Sequence, residues 1–214
     1  MRTVLLASGR GSNVRSILDA VRVGRCHAKP TGLVSDRPGA GALDVAREHG
    51  LPVRVVARED HPTRGAWDEA LAAAVAELDP ELVVLAGFMR IVGAPMLERF
   101  GGRTINVHPS LLPAFPGKDG PAQALAAGVR LSGCTVHVVD EGVDTGPILA
   151  QGAVPVLVGD DVASLHARIQ TVEHRLLPAV VDWIATGHVK LGPDLVLRVA
   201  TPDHMSALVY PPLT

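Results

Sequence analysis

Asn106 and His108 stand two residues apart in the run Ile105-Asn106-Val107-His108-Pro109-Ser110-Leu111-Leu112-Pro113. If that run begins as a strand, both side chains leave on one face. An amide and an imidazole side by side can each donate a hydrogen bond to charge developing on a carbonyl oxygen, which is the chemistry of an oxyanion site. Further along, Asp140-Glu141-Gly142-Val143-Asp144-Thr145-Gly146-Pro147 makes an acidic loop whose carboxylates could take a proton from an attacking amine. Each feature also has an ordinary reading, His108 as a structural strand histidine and the Asp- and Gly-rich turn as solvated surface.

A second candidate is the loop Ser8-Gly9-Arg10-Gly11-Ser12-Asn13, which joins an apolar run to a helical pattern. There the unpaired backbone N–H groups and the positive end of the helix would converge and suit an anion. A dinucleotide fingerprint needs a small residue where Val14 stands, so a compact terminal phosphate fits better than a pyrophosphate. A nicotinamide oxidoreductase using Gly9, Gly11 and Asp36 is disfavoured on that ground. The bland alternative is a glycine-rich turn in which Ser12 or Asn13 merely caps the helix.

The elements that must position these residues read as alternating strands and helices, the pattern of a Rossmann-like, doubly wound α/β fold with a mostly parallel central sheet. Strands are expected at Thr3 to Ala7, Gly32 to Ser35, Val53 to Val56, Leu82 to Ala86 and Thr104 to Val107. The helices between them are expected at Asn13 to Val23, Ala42 to His49 and Arg64 to Leu78, the last stopping at Asp79-Pro80. The continuously apolar Leu82 to Ala86 has the character of a central strand covered on both faces. Catalytic groups then belong at the carboxyl ends of the strands.

From Ser132 the chain becomes strand-rich, Cys134 to Val139 and Ile148 to Val156 predicting an antiparallel or mixed extension of the sheet. Asp160 or Asp161 should cap a long helix with the apolar stripe Val162, Leu165, Ile169, Val172, Leu176 and Val180. Val189 to Leu191 and Leu195 to Ala200 suggest a terminal hairpin, followed by a loosely held tail from Thr201. The expected organisation is one domain over 1–214, comprising a first half (1–100) that carries the glycine-rich loop, a second half (101–186) that carries the Asn106, His108 and acidic-loop candidates, and a C-terminal extension (187–214).

Composition narrows the partners. The 214 residues are 47% hydrophobic, enough for a substantial core, and 20 Lys+Arg against 22 Asp+Glu leave a net charge of -2. That balance argues against long nucleic acid as a partner. Cys26 and Cys134 are too few and too far apart for a disulfide framework or a zinc site, which favours a cytoplasmic setting. The apolar start is too short for a signal peptide or membrane span.

Taken together, the Ser8 to Asn13 loop, Ala86-Gly87-Phe88-Met89-Arg90-Ile91, the Asn106 to Pro113 motif and the Asp140 to Pro147 loop resemble the folate-dependent formyltransferases. Within that family they resemble most the phosphoribosylglycinamide branch, over roughly residues 3 to 183. The resemblance implies transfer of the formyl group of 10-formyltetrahydrofolate to the amine of glycinamide ribonucleotide, without a metal. It implies Asn106, His108 and Asp144 as the catalytic set. Gly11, Ser12, Asn13 and Arg64 would hold the phosphate, while Gln170 and Glu173 contact the ribose side. Met89, Arg90, Ile91 and Val92 would line the folate site with Asp140, Glu141 and Asp144. Arg90 is equally suited to a surface ion pair, and Gln170 and Glu173 to a solvated helix face bordering the apolar stripe.

One departure is visible. Many relatives carry histidines after Pro116-Gly117, where this chain has Lys118-Asp119-Gly120-Pro121. The loop is still expected to close over the substrate, with Lys118 adding positive charge.

Competing members of the family fit less well. The enzyme acting on initiator tRNA carries a further RNA-binding domain, for which the roughly thirty-five residues after the long helix are too few. A formyltetrahydrofolate hydrolase would begin with a regulatory domain, whereas this chain begins at the first strand. A non-catalytic folate or nucleotide sensor would have little need of the Asn106, His108 and Asp144 set. The sequence leaves open a monomer or a homodimer.

Overall fold

Residues 1–192 and the backbone of 196–197 are described by a computed structural model. Seven strands form one sheet: β1 (Arg2–Leu6), β2 (Lys29–Ser35), β3 (Val53–Val55), β4 (Leu82–Leu85), β5 (Thr104–His108), β6 (Leu131–Val138) and β7 (Ile148–Pro155). Their spatial order is β3-β2-β1-β4-β5-β6-β7. The first five run parallel, and β6 and β7 add on antiparallel. The expected fold class and antiparallel extension are therefore observed.

Alternation along each strand sorts side chains between two cores. Leu5, Leu82, Val84, Ile105, Val107, Cys134 and Val136 join a cluster with α1 (Ser12–Arg22), α2 (Gly41–Glu48) and α6 (Val162–Ala185). Val4, Leu6, Val83 and Leu85 pack on the opposite face with α3 (Arg64–Ala76) and α4 (Ala94–Phe100). In β5 and β6 the first face is apolar. The second face carries Asn106, His108, Thr135 and His137, because residues paired across an antiparallel ladder share a face.

The long helix α6 is capped by Asp161, whose side chain accepts from Ser164 N while Ser164 Oγ accepts from Asp161 N. Asp160 contributes differently, clasping Arg168 through two hydrogen bonds. The stripe on α6 differs from the expected one. Val162 is exposed and Val172 and Leu176 only partly buried, whereas Leu165, Ile169, Glu173, Leu177, Val180, Val181 and Ile184 are buried. Glu173 thus lies inside the buried face and not on its border.

Three short elements go beyond the sequence reading: a 3-10 turn over Arg58–Asp60, the helix α4, and α5 (Gly120–Ala126). The terminal hairpin forms as β8 (Val189–Lys190) paired antiparallel with β9 (Val196–Leu197). The tail expected from Thr201 lies outside the described residues. Among the described residues no helix is long and apolar enough to cross a membrane.

Candidate active site

Strand order reverses between β1 and β4, and the crevice at such a switch point is where α/β sheets bind ligands. Two loops are stitched together there. Ser8 N donates to Gly87 O at 3.0 Å, and Met89 N donates to Ser8 Oγ at 2.8 Å. The loop from Ser8 to Asn13 therefore abuts the 86–91 segment.

Gly11 is the N-cap residue of α1, with φ 85° and no side-chain cap, so neither Ser12 nor Asn13 caps the helix. The first N–H groups of α1 have no carbonyl to bind within the helix. Asn13 instead turns its Nδ2 to Glu173 Oε2 at 3.1 Å, while its buried Oδ1 has no hydrogen-bond partner among the described residues. This contact joins the first loop to α6 across most of the chain. Gln170, one turn before Glu173 on α6, is partly exposed.

Asp36 does not reach toward a ribose. Its buried carboxylate accepts from Arg90 Nε at 2.9 Å, so the ion-pair role left open for the Arg90 side chain is occupied. Arg64 donates through Nε to both oxygens of Asp68 at 2.8 Å and through Nη2 to the carbonyl of Ile91. Its guanidinium also covers the Trp67 ring, 5.0 Å from the centroid. The Ile91 carbonyl thus ties Arg64 to the segment from Met89 to Val92, while Asp68 holds it from one turn along α3. In that segment Met89 and Ile91 present exposed apolar side chains, while Val92 is buried.

The third cluster lies on the polar face of β5 and β6. His108 is 4% exposed. Its Nδ1 is 3.2 Å from Asp144 Oδ2 and its Nε2 is 2.9 Å from the carbonyl oxygen of Phe115. Both neighbours are acceptors, so each ring nitrogen is placed to donate. Asn106 Nδ2 lies 3.2 Å from His137 Nε2 and 3.5 Å from Asp144 Oδ1.

Asp144 Oδ2 also accepts the Gly117 N–H at 2.8 Å, which ties the acidic loop to the loop before α5. Burial works to raise the Asp144 carboxyl pKa. The neighbouring His137, the Gly117 N–H and positive charge on His108 outweigh it, so the group sits below the usual carboxylate value. Asp140 spends its carboxylate on its own turn, accepting from Gly142 N and Thr145 Oγ1. Glu141 is exposed.

Two side chains and one carbonyl in this cluster were not foreseen from sequence: His137, Gln123 and Phe115 O. Gln123 Nε2 donates to Pro116 O and Lys118 O and so holds the loop that supplies Gly117, on which Lys118 is exposed. Two open clefts of about 600 and 700 Å³ lie elsewhere, one by the start of β1 and the end of α6, the other between α1 and α2. Neither is lined by Asn106, His108 or Asp144.

A family model described as formyl transferase matches residues 1–181. The chain belongs to the formyl transferase family. A phosphoribosylglycinamide formyltransferase of Mycobacterium tuberculosis is 54% identical over 94% of this chain and 90% of its own length. The human trifunctional purine biosynthetic protein adenosine-3 is 40% identical over 89% of this chain, which corresponds to 19% of that larger protein. The crystal structure of glycinamide ribonucleotide transformylase 1 from Symbiobacterium toebii superposes with a TM-score of 0.89 at 43% identity, covering 92% of this chain and 93% of that one. As a formyl transferase, this chain takes a folate-derived co-substrate.

Proposed function

We propose that this formyl transferase moves the formyl group of 10-formyltetrahydrofolate to the primary amine of glycinamide ribonucleotide. The products are formylglycinamide ribonucleotide and tetrahydrofolate, a step of purine synthesis. The observation that carries the reading is the meeting of Asn106, His108 and Asp144 within hydrogen-bonding reach, on a sheet face beside a glycine-rich anion loop.

In this reading Gly11, Ser12 and Asn13 hold the substrate phosphate through their backbone N–H groups. The Asn13 Oδ1 and the Glu173 carboxylate are acceptors suited to ribose hydroxyls, with Gln170 beside them. Arg64, whose guanidinium bonds the Ile91 carbonyl, acts on the phosphate from that side. Met89, Ile91 and Val92 offer apolar surface and main-chain groups to the folate, and the Arg90 backbone joins them while its side chain stays with Asp36. Asp140 and Glu141 shape the opposite wall with Asp144. Residues 1–100 would then form the phosphate half, 101–186 the catalytic and folate half, and 187–214 an extension of a single domain.

Bound folate supplies a formamide carbon open to attack. As the amine nitrogen bonds to that carbon, Asn106 and His108 stabilise the charge moving onto the carbonyl oxygen. Asp144 takes up the amine proton and returns it to the departing folate nitrogen when the carbon–nitrogen bond breaks. The geometry links these events, because one existing partner of His108 must yield for the ring to donate to the oxygen. Protonation of Asp144 weakens its hold on Nδ1 at the moment the oxygen becomes negative. No metal and no covalent enzyme intermediate takes part. The setting is the cytoplasm, as a monomer or a homodimer.

Incubation with both substrates, following tetrahydrofolate release and the fate of the formyl group, tests the proposal. Formylated ribonucleotide is the expected product. Free formate in its place would make the chain a hydrolase, and binding of both ligands without either product would make it a sensor.

A further inference from the structure

The segment after β4 is fastened at three successive residues by three different elements. Met89 N donates to Ser8 Oγ at 2.8 Å, Arg90 Nε donates to the Asp36 carboxylate at 2.9 Å, and the Ile91 carbonyl accepts from Arg64 Nη2. Ser8 follows β1, Asp36 follows β2 and Arg64 opens α3. The middle anchor has the widest span. β1 stands between β2 and β4, so the Asp36–Arg90 pair bridges the carboxyl ends of two strands that are not neighbours in the sheet.

Burial makes this anchor firm. The Asp36 side chain is wholly buried, and its Oδ1 has no hydrogen-bond partner among the described residues. The other cation beside it, Arg37 Nε, is 4.0 Å from the oxygen that Arg90 holds. A buried carboxylate with one orphaned oxygen is costly without a close cation, which commits the Arg90 guanidinium to Asp36. The outcome is seen on the surface. Met89 and Ile91, on either side of Arg90, are 65% and 61% exposed. Two large apolar side chains are thus held out to solvent by a segment that is tied down, beside the crevice where strand order reverses. A fixed apolar edge of this kind suits the flat rings of a folate better than a sugar phosphate.

We infer that Asp36 is a positioning residue for the folate co-substrate: through Arg90 it holds the segment from Met89 to Ile91 in the shape that receives the folate. Asp36 itself is 1% exposed and touches neither substrate. The inference rests on the placing of the folate against that segment in the reading above.

Steady-state transfer with each substrate varied in turn tests it. Asp36→Ala should raise the KM for 10-formyltetrahydrofolate about threefold or more, the scale of coupling between residues in contact. The KM for glycinamide ribonucleotide, and kcat with both substrates saturating, should stay within about twofold of the unaltered chain. An anchor that merely supported the fold would lower the amount of active protein, and with it kcat, without choosing between the two KM values. Arg90→Ala should raise the same KM, and the double variant should be no worse than the more affected single one. Asp36→Asn keeps an acceptor for the Arg90 Nε–H and should do less harm than Asp36→Ala. A rise in the ribonucleotide KM instead, a fall confined to kcat, additive losses, or equal damage from Asn and Ala would each overturn the inference.

Two binding measurements separate this inference from the transfer reaction. In amide NMR of the unaltered chain, which depends on no variant folding, tetrahydrofolate should move the Met89, Arg90 and Ile91 signals more than glycinamide ribonucleotide does. The reverse order overturns the inference. Calorimetric titration with tetrahydrofolate should then show weaker binding by Asp36→Ala, by the same factor as the rise in KM. If the unaltered chain transfers no formyl group, the transfer reading fails. Weaker tetrahydrofolate binding by Asp36→Ala would still uphold the role of Asp36, and equal binding would overturn it.

Discussion

The Nδ1 of His108, at the end of β5, lies 3.2 Å from Oδ2 of Asp144, and that same oxygen accepts the Gly117 N–H at 2.8 Å. One carboxylate therefore fixes the edge of an imidazole on a rigid strand and a loop that borders the site. His108 gains a set direction from this, since Phe115 O holds its other nitrogen. A ring that is to donate a hydrogen bond to developing charge needs such a fixed direction.

The first prediction tests that pairing. Asp144→Asn keeps the size of the side chain but removes its capacity to take a proton, and His108→Ala removes the ring. Each should lower kcat by at least about a hundredfold, the scale for loss of acid–base or oxyanion groups. Combining them should cost far less than the product of the two losses, because the groups act as a unit. Steady-state and single-turnover rates check this, and near-normal turnover in either variant would remove the assigned roles.

A second prediction concerns acid. The Asp144 carboxyl is held below its usual value in the folded chain, so its charged form favours folding above the unfolded carboxylate pKa of about 3.9. That contribution disappears as pH falls through the lower, folded value. Urea unfolding of the unaltered chain and of Asp144→Asn should show a stability gap that is constant from neutral pH down to about pH 4 and narrows below it. A gap that widens on acidification would contradict the direction of the shift.

How much of this was legible in the sequence depends on whether a residue's partner is set locally or by the fold. Asn106 and His108 share a face because of period two, which the sequence carries by itself. His137 is different: it becomes the neighbour of Asn106 only through the antiparallel register of β5 against β6, and no local pattern fixes a register. Glu173 looks like a polar residue at the border of a stripe until Asn13, from the first loop, is found against it. The Arg64–Asp68 pair has helical spacing, but the reach of Arg64 to the Ile91 carbonyl depends on how α3 packs against the loop after β4. α5 escaped notice because Gly120-Pro121 reads as loop, although proline suits a first helical turn.

The two glycines of the loop from Ser8 to Asn13 should behave oppositely. Gly11 has φ 85°, and a Cβ there would meet Ala42 Cα at 2.6 Å, so the residue is tied both by conformation and by the close approach of α2. Gly11→Ala should destabilise the fold by about 1–3 kcal/mol. A Cβ on Gly9 meets nothing within 4 Å among the described residues and needs no positive φ, so Gly9→Ala should stay within about 0.5 kcal/mol of the unaltered chain. Chemical denaturation of both variants measures the difference, and equal losses would show that the approach of α2 is not what fixes Gly11.

The cysteines supply a probe of native packing that needs no substrate. Cys134 is fully buried on β6, and burial, with the negative charge of Glu173 adding to it, pushes its thiol up to about 12. Burial also raises the pKa of Cys26, beside α1. Only the thiolate reacts with an alkylating agent, so near pH 8 neither group should be modified in the folded protein on the timescale of a free thiol. Both should react once denaturant opens the chain, at a rate that follows the unfolded population. Glu173→Gln removes the smaller contribution and leaves burial, so Cys134 should remain slow in that variant. Rapid labelling of Cys134 under native conditions would mean that the interface between α6 and β6 opens readily. The buried contact between Asn13 and Glu173, made by that same helix, could not then be held as described.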